Sequence, residues 1–374
     1  MIKFLYTNIG RGHPFYLDGI IEVLKGRDKL KIESYDVFEV SSGLALTTWK
    51  IARRLYKAGS TDSFIGNLYN RFRDNSQYRK NDIAMRIMGR DIRRKFLTDD
   101  TPLVVDHPVL LGILQGKKNL LYQHGEIAVP AQAVVPGADY VFVPVESCAV
   151  PFWNAGYRKD QIIVSGLCIE PRLAKYAESN LEGRLERISS DRPLTGAFFS
   201  SGAEPKPHVD KLVLAIVSVF ESGGCSFVYP QIDGSFLKKE QEATERAIFE
   251  IILHPYRTRE DLDANTFKDF HRYDYLVAPS HERTNWALGL GLPMFVLEPP
   301  IGPFAPLNKL ALLQAGVAEC LNSVDEAKGF AIRLADLRKS GKLAKMAESG
   351  WEKHSVTGFQ AISDFLIKKY GASS

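Results

Sequence analysis

The stretch that most constrains this chain runs from Tyr273 to Leu297, YDYLVAPSHERTNWALGLGLPMFVL. Tyr275 to Ala278 is an apolar run too short for a helix, and it stops at Pro279 and Ser280. Thr284 to Leu290 then carries helical spacing, and Gly291, Leu292 and Pro293 close it before a second apolar run, Met294 to Leu297. The pattern is strand, polar loop, helix and tight re-entry into a strand. Such units build open parallel sheets, in which ligands bind outside the carboxyl ends of the strands. A helix that begins there also offers unpaired N–H groups to an anion.

The same rhythm fills most of the chain. Apolar runs Ile2 to Tyr6, Leu30 to Val37, Pro102 to Val105, Leu120 to Tyr122, Tyr140 to Val143 and Ile162 to Val164 predict six strands, with helices at Phe15 to Leu24 and Glu146 to Ala155. A polar, charge-rich segment follows. A second series then runs through strands Gly196 to Ser200, Ser226 to Tyr229 and Ile248 to Leu253, and helices Val209 to Glu221, Glu260 to Phe270, Asn308 to Gln314 and Val324 to Leu337. The expected class is α/β, with two Rossmann-like domains facing each other across a cleft. Domain one spans 1–168 with a helical insertion at 44–97. Residues 169–192 are expected to link it to domain two, 193–355, and a last helix within 356–374 to return to domain one.

A length of 374 residues agrees with two cores rather than one. Apolar content of 45% and charged content of 25% suit a globular protein, and no apolar run nears the roughly 20 residues that span a bilayer. MIKFLYTNIGRGH lacks a signal-peptide cleavage region, so the expected location is cytoplasmic, peripheral on the inner face of the plasma membrane. Cys148, Cys168, Cys225 and Cys320 are far apart with no CxxC pair, which predicts buried reduced thiols. No short repeat points to a solenoid.

Charge is unevenly spread. Between Trp49 and Phe96 there are thirteen Lys and Arg against four Asp, a surplus of nine, so the remainder of a chain with net charge +4 is acidic. Lys50, Arg53, Arg54 and Lys57 recur at i, i+3, i+4 and i+7 on one helical face, while Leu44, Ile51 and Leu55 share another. Three readings fit: an anionic membrane or lipid acceptor surface, an ordinary solvated helical pair, and, least favoured, nucleic acid.

Candidate chemistry lies on the loops. Gly10, Arg11, Gly12 and His13 follow the first strand, with Pro14 suited to a helix start. They do not form GxGxxG, which disfavours a dinucleotide cofactor. His13 is a candidate general base, although loop histidines also serve as caps. Asp106 and His107 end the third strand, and His124, Gly125 and Glu126 the fourth, so polar groups converge on one edge. Their spacing lacks HxH or HExxH, so no metal is expected. Ser200, Ser201, Gly202 and Lys206 could cradle a diphosphate or form a simple turn. Ser280, His281, Glu282, Arg283 and Thr284 add polar groups, and the loop from Glu298 to Asn308 either covers a ligand or connects rigidly.

Taken together, Tyr275 to Ala278, Thr284, Ala287, Leu288, Gly291, Leu292, Pro293 and Asn308, with Gly10, Gly12 and His13 and the stretch VPVESCAVPFWNAGYRKDQIIVSGL (Val143 to Leu167), resemble the GT-B glycosyltransferases. The similarity is to the group containing monogalactosyldiacylglycerol synthase, diacylglycerol glucosyltransferases and the lipid II-forming N-acetylglucosaminyltransferase. It implies inverting, metal-independent transfer from a nucleotide diphosphate sugar to a hydroxyl, with no resident cofactor. It makes His13 the candidate base, with Asp106, His107 and His124 on the acceptor side. Gly12, Ser201, Gly202, His281, Glu282, Arg283 and Thr284 fall at the donor, and Asn308 helps to close it. Trp286 stands where the group has a glutamate that holds the donor ribose, and His281, Glu282 and Arg283 replace glycines. A sugar-nucleotide epimerase or hydrolase of the same architecture, and a catalytically silent nucleotide-sugar-binding protein, are the alternatives.

Overall fold

A computed structural model describes residues 1–7, 12–59, 83–244 and 251–371, apart from the side chains of 12, 13, 56–59 and 244. The chain forms two compact units, Met1–Pro171 with Ser355–Ser374, and Arg172–His354.

In the first unit β1 (Ile2–Tyr6), β2 (Ile32–Asp36), β3 (Leu103–Val105), β4 (Leu120–Gln123), β5 (Tyr140–Val143) and β6 (Ile162–Val164) form one parallel sheet in the order β2-β1-β3-β4-β5-β6. Strand order reverses between β1 and β3, and the register Leu5 to Val105 brings Thr7 beside Asp106. On one face the helix Gly12–Lys25 packs on Phe4, Val104, Leu121 and Phe142. The helix Gly358–Tyr370 completes that layer with Phe359, Ile362 and Leu366, all fully buried. The two helices approach closely because Gly19 has no Cβ: one built there would lie 2.2 Å from the Phe359 ring.

In the second unit β7 (Thr195–Phe199), β8 (Cys225–Tyr229), β9 (Ile251–Leu253), β10 (Tyr275–Ala278), β11 (Met294–Leu297) and β12 (Ala318–Leu321) are parallel in the order β12-β11-β10-β7-β8-β9. Every residue of β10 and β11 is buried, which is why both read as unbroken apolar runs. The first residues of the third expected strand here, 248–250, lie outside the described residues.

Several boundaries differ from the sequence reading for local reasons. The helix expected over Val324 to Leu337 is two, Val324–Lys328 and Phe330–Lys339, parted at Gly329. Residues 169–192 carry two helices, Pro171–Lys175 and Ala177–Ser189. The latter buries Arg184, whose Nε donates to the Tyr273 carbonyl (2.9 Å) and whose Nη1 donates to those of Leu290 (2.8 Å) and Gly291 (3.0 Å). Burial pushes that guanidinium down to about 9, so it remains charged at neutral pH. Cys148 and Cys168 are buried thiols outside any disulfide, whereas Cys225 and Cys320 are only half-buried, so the expectation of four buried thiols holds for two.

Within the basic insertion the described helices are Gly43–Gly59, Ile83–Met88 and Arg90–Phe96. Residues 60–82 lie outside the described residues, as does the side chain of Lys57.

Candidate functional site

The second unit has the strand order in which a dinucleotide fold binds its ligand, with the reversal between β7 and β10. The register Val277 to Phe198 brings the ends of these strands level, so the loop after Phe199 lies beside the loop after Ala278. Both loops carry hydroxyls. Ser200 and Thr284 are buried side chains, and Ser201 is half-buried with a buried Oγ; all three hydroxyl oxygens have no hydrogen-bond partner among the described residues. An unpaired buried hydroxyl costs roughly 1–3 kcal/mol, so three on one sheet edge call for a polar ligand or water.

Arg283 supplies the charge. It is 7% exposed, with its guanidinium 3.9 Å above the Phe199 ring and 5.3 Å from that of Trp286, and Nη1 donates to Glu282 Oε1 at 2.5 Å. A planar cation held on an aromatic face is pre-oriented for an anion. His281, half-buried beside it, has its pKa lowered by burial despite Glu282. The helix Thr284–Gly289 is only six residues long and its N-cap makes no side-chain bond, so its dipole is weaker than the sequence pattern implies. The longer helix Lys206–Glu221, entered through Glu204 (φ 45°) and Pro205, follows the Ser200 to Gly202 loop. The Glu204 carboxylate is engaged elsewhere, accepting from Phe236 N (3.0 Å) and Ser235 Oγ (3.2 Å).

Asn308 is fully buried, and its Nδ2 donates to Ser280 O (3.0 Å), while Ser280 Oγ donates to Ala305 O (2.9 Å). The pair ties the β10 loop to the helix Ala305–Ala315. His208, which the sequence reading did not single out, donates from Nε2 to Pro299 O at 2.7 Å, and burial pushes its pKa down to about 4. It therefore stays neutral, with a buried Nδ1 that has no partner among the described residues. It lies one residue before the expected Val209 to Glu221 helix, and only the fold shows that the observed helix, Lys206–Glu221, brings it to the Pro299 carbonyl.

Trp286 is 3% exposed, and its ring meets those of Phe199 (5.9 Å) and Phe270 (5.3 Å) edge-on. It is a packing residue of the sheet face.

In the first unit, Asp106 is fully buried at the strand-order reversal. Its oxygens accept from Thr7 N and Thr7 Oγ1, both at 3.4 Å, and desolvation pushes its pKa up to about 8. These long contacts do not offset the loss of water. His107 Nδ1 accepts from Val109 N (3.1 Å), capping the helix Pro108–Ile113. His124 is 2% exposed, packs edge-on against Tyr122 and Phe152, and its Nε2 lies 3.1 Å from Ala128 O. Gly125 is required beside it, since a Cβ there would lie 2.1 Å from the Tyr16 ring. Gly10 and Arg11, and the side chain of His13, lie outside the described residues; Gly12 and His13 open the Gly12–Lys25 helix. Among the described residues no group of three or more His, Cys, Asp or Glu could hold a metal ion.

No protein-family profile matches the chain, and no curated protein does. Solved structures do match over nearly its whole length. MurG of Acinetobacter baumannii aligns with 98% of this chain and 99% of its own at 12% identity, with a TM-score of 0.58. The S. aureus MnaA–UDP co-structure aligns with 98% of this chain and 96% of its own at 11% identity and a TM-score of 0.60. UDP-GlcNAc 2-epimerase from Neisseria meningitidis, bound to UDP-GlcNAc, covers 98% and 99% at 11% identity and the same TM-score. The chain thus has the fold of two Rossmann-like domains that GT-B glycosyltransferases share with UDP-GlcNAc 2-epimerases.

Proposed function

We propose that this chain is a glycosyltransferase that moves a sugar from a nucleotide diphosphate sugar to a hydroxyl acceptor. The observation that carries the reading is the set of unpaired hydroxyls of Ser200, Ser201 and Thr284 on the two loops flanking the β7/β10 reversal, next to the stacked guanidinium of Arg283. Hydroxyl donors around one fixed cation suit a diphosphate. In this reading Arg283 binds the diphosphate, Gly202 lets the backbone approach it, and His281 and Thr284 complete the loop. Asn308 is a positioning residue, since its amide holds Ser280. Glu282 takes the ribose hydroxyls, a task for which Trp286 has no carboxylate.

The acceptor is assigned to the first unit's carboxyl edge. Asp106, uncharged up to about pH 8, serves there as a hydrogen-bond donor to the acceptor, and His107 and His124 frame it. His13 takes the acceptor proton. The acceptor oxygen forms a bond to the sugar's anomeric carbon, the bond from that carbon to the diphosphate breaks, and the nucleotide diphosphate leaves.

The test is thermal shift of the full chain with UDP, GDP, TDP, ADP, CMP and their sugars, repeated on Arg283→Ala. A nucleotide at 100 times its Kd adds about 2.7 kcal/mol of stability. One nucleotide should shift the protein and fail to shift the variant, and its sugar should turn over only when a hydroxyl acceptor is present. Sugar turnover without acceptor would establish the epimerase or hydrolase reading instead, which gains support from a match to UDP-GlcNAc 2-epimerase from Neisseria meningitidis as good as that to MurG. Binding without turnover would mark a silent binding protein, and no shift from any nucleotide would remove the donor reading.

A further inference from the structure

The amino edge of the second sheet, opposite the candidate donor loops, holds a cavity of about 570 Å³, a size that takes a small organic molecule. It opens beside Leu194 just before β7, Gly224 just before β8, Tyr275 at the start of β10 and the helix Phe330–Lys339. β7 is five residues long, so its ends are about 13 Å apart, and the cavity shares no residue with the candidate donor site.

Its floor is apolar, formed by the buried Ile188, Leu194, Val219 and Leu334, with one exception. Tyr275 is fully buried, and its ring lies across Gly196, where a Cβ would sit 2.4 Å from it. The ring also meets Phe198 (6.1 Å), Phe295 (5.9 Å) and Phe330 (5.8 Å) edge-on. Its Oη has no hydrogen-bond partner among the described residues, and burial pushes the phenol pKa up, so the group stays a protonated donor. Phenylalanine would fill the same aromatic cluster without leaving a polar atom unpaired. Packing therefore does not explain the hydroxyl.

The rim is charged. Arg338 is fixed there, with Nε donating to Ile188 O (2.9 Å) and Nη2 to Arg187 O (3.1 Å), two of the last carbonyls of the helix Ala177–Ser189. Its Nη1 donates to nothing among the described residues, and the exposed Lys339 has no ion pair among them. Among the described lining residues the charges are these two cations and Asp191, a surplus of one positive charge. Three helices, Ala177–Ser189, Lys206–Glu221 and Phe330–Lys339, also end at this edge and present the negative poles of their dipoles. That balance suits a monoanion on the guanidinium and disfavours a dianion such as a phosphate ester.

We propose that this cavity is a second binding site, for a small carboxylate with an apolar body and a hydrogen-bonding group at its other end. The carboxylate pairs with Arg338 and Lys339, the body lies against Leu194, Val219 and Leu334, and the far group pairs with the Tyr275 hydroxyl. The inference does not depend on the donor reading, because it concerns the other edge of the sheet and a different ligand.

Isothermal titration calorimetry of the full chain tests it. The probes are para-hydroxybenzoate, para-hydroxyphenylacetate and para-hydroxyphenylpropionate, rigid-ringed acids that differ in reach, beside phenylacetate without the hydroxyl and para-cresol without the carboxylate. At least one hydroxy acid should bind with a submillimolar Kd. Its affinity should fall about ten-fold on Tyr275→Phe and ten-fold or more on Arg338→Gln. Lys339→Gln, at an exposed position, should weaken it several-fold even if Arg338→Gln proves unstable, and Ala335→Trp at the exposed mouth should block it. Phenylacetate should bind the parent and Tyr275→Phe alike, because it has no partner for the hydroxyl. Without ligand, Tyr275→Phe should melt a few degrees above the parent. Arg283→Ala and saturating UDP should leave hydroxy-acid binding unchanged, which separates this site from the donor site whatever the donor proves to be. The proposal is overturned if no hydroxy acid binds, if para-cresol binds as tightly as the acids, or if binding is indifferent to Tyr275→Phe and Ala335→Trp. Loss of binding in Arg283→Ala, or a Tyr275→Phe protein less stable than the parent, overturns it equally.

Discussion

Asp106 couples the first unit to pH. Its carboxyl is raised from the ordinary carboxylate range to about 8 by burial, with Asp18 adding a smaller push from nearby. The folded state therefore binds a proton that the unfolded chain releases near pH 4. The stabilisation this gives is complete below the unfolded pKa, falls as pH rises, and is lost once pH passes about 8. Asp106→Asn keeps the shape and cannot ionise, so its melting temperature should exceed that of the parent by a few degrees at pH 9, with the gap narrowing toward pH 5. A gap that does not change with pH would show that Asp106 is not held neutral. Trp286 gives a second check at this scale. If it is a packing residue, as its contacts with Phe199 and Phe270 indicate, Trp286→Glu costs more than about 3 kcal/mol in urea denaturation and creates no tighter nucleotide binding.

Among the elements, two helices are held by opposite means, one by absence of a side chain and one by an excess of donors. Gly19→Ala would force the Phe359 ring away from the Gly12–Lys25 helix and should cost about 1–3 kcal/mol, read as a lower melting temperature and faster proteolysis near Ser355. Arg184→Met would fit the space but withdraw its donors from the carbonyls of Tyr273, Leu290 and Gly291. These carbonyls bracket β10 and the helix after it, so the loss should be about 3 kcal/mol in urea denaturation. The elements show what the sequence could disclose. β10 and β11 were legible because both their faces are buried, and Gly291 marked the turn between them with a φ of 57°. β12 was not, because Glu319 interrupts its apolar run, and the charge is explained only by Arg333 and Lys342, which come from later helices. At the candidate site the loops could be placed from sequence, whereas the unpaired state of Ser200 and Thr284 and the cap made by His107 depend on packing that no local pattern encodes.

Across the whole molecule, nucleotide binding should leave a regional signature. Amide hydrogen exchange with saturating nucleotide should slow in the segments 200–206 and 279–284 of the second unit, and protection that spared both segments would place the ligand elsewhere. The division of the chain has a consequence for synthesis as well. The first unit takes its closing helix, Gly358–Tyr370, from beyond the entire second unit, and Phe359, Ile362 and Leu366 complete a core that begins at Ile2. A growing chain that has just emerged through His354 thus carries a finished second unit and a first unit whose apolar layer, including Phe15 and Ile20, still faces water. The earliest-made unit therefore completes its core only once the last helix has been made, and until then its uncovered apolar layer is the surface a chaperone would recognise.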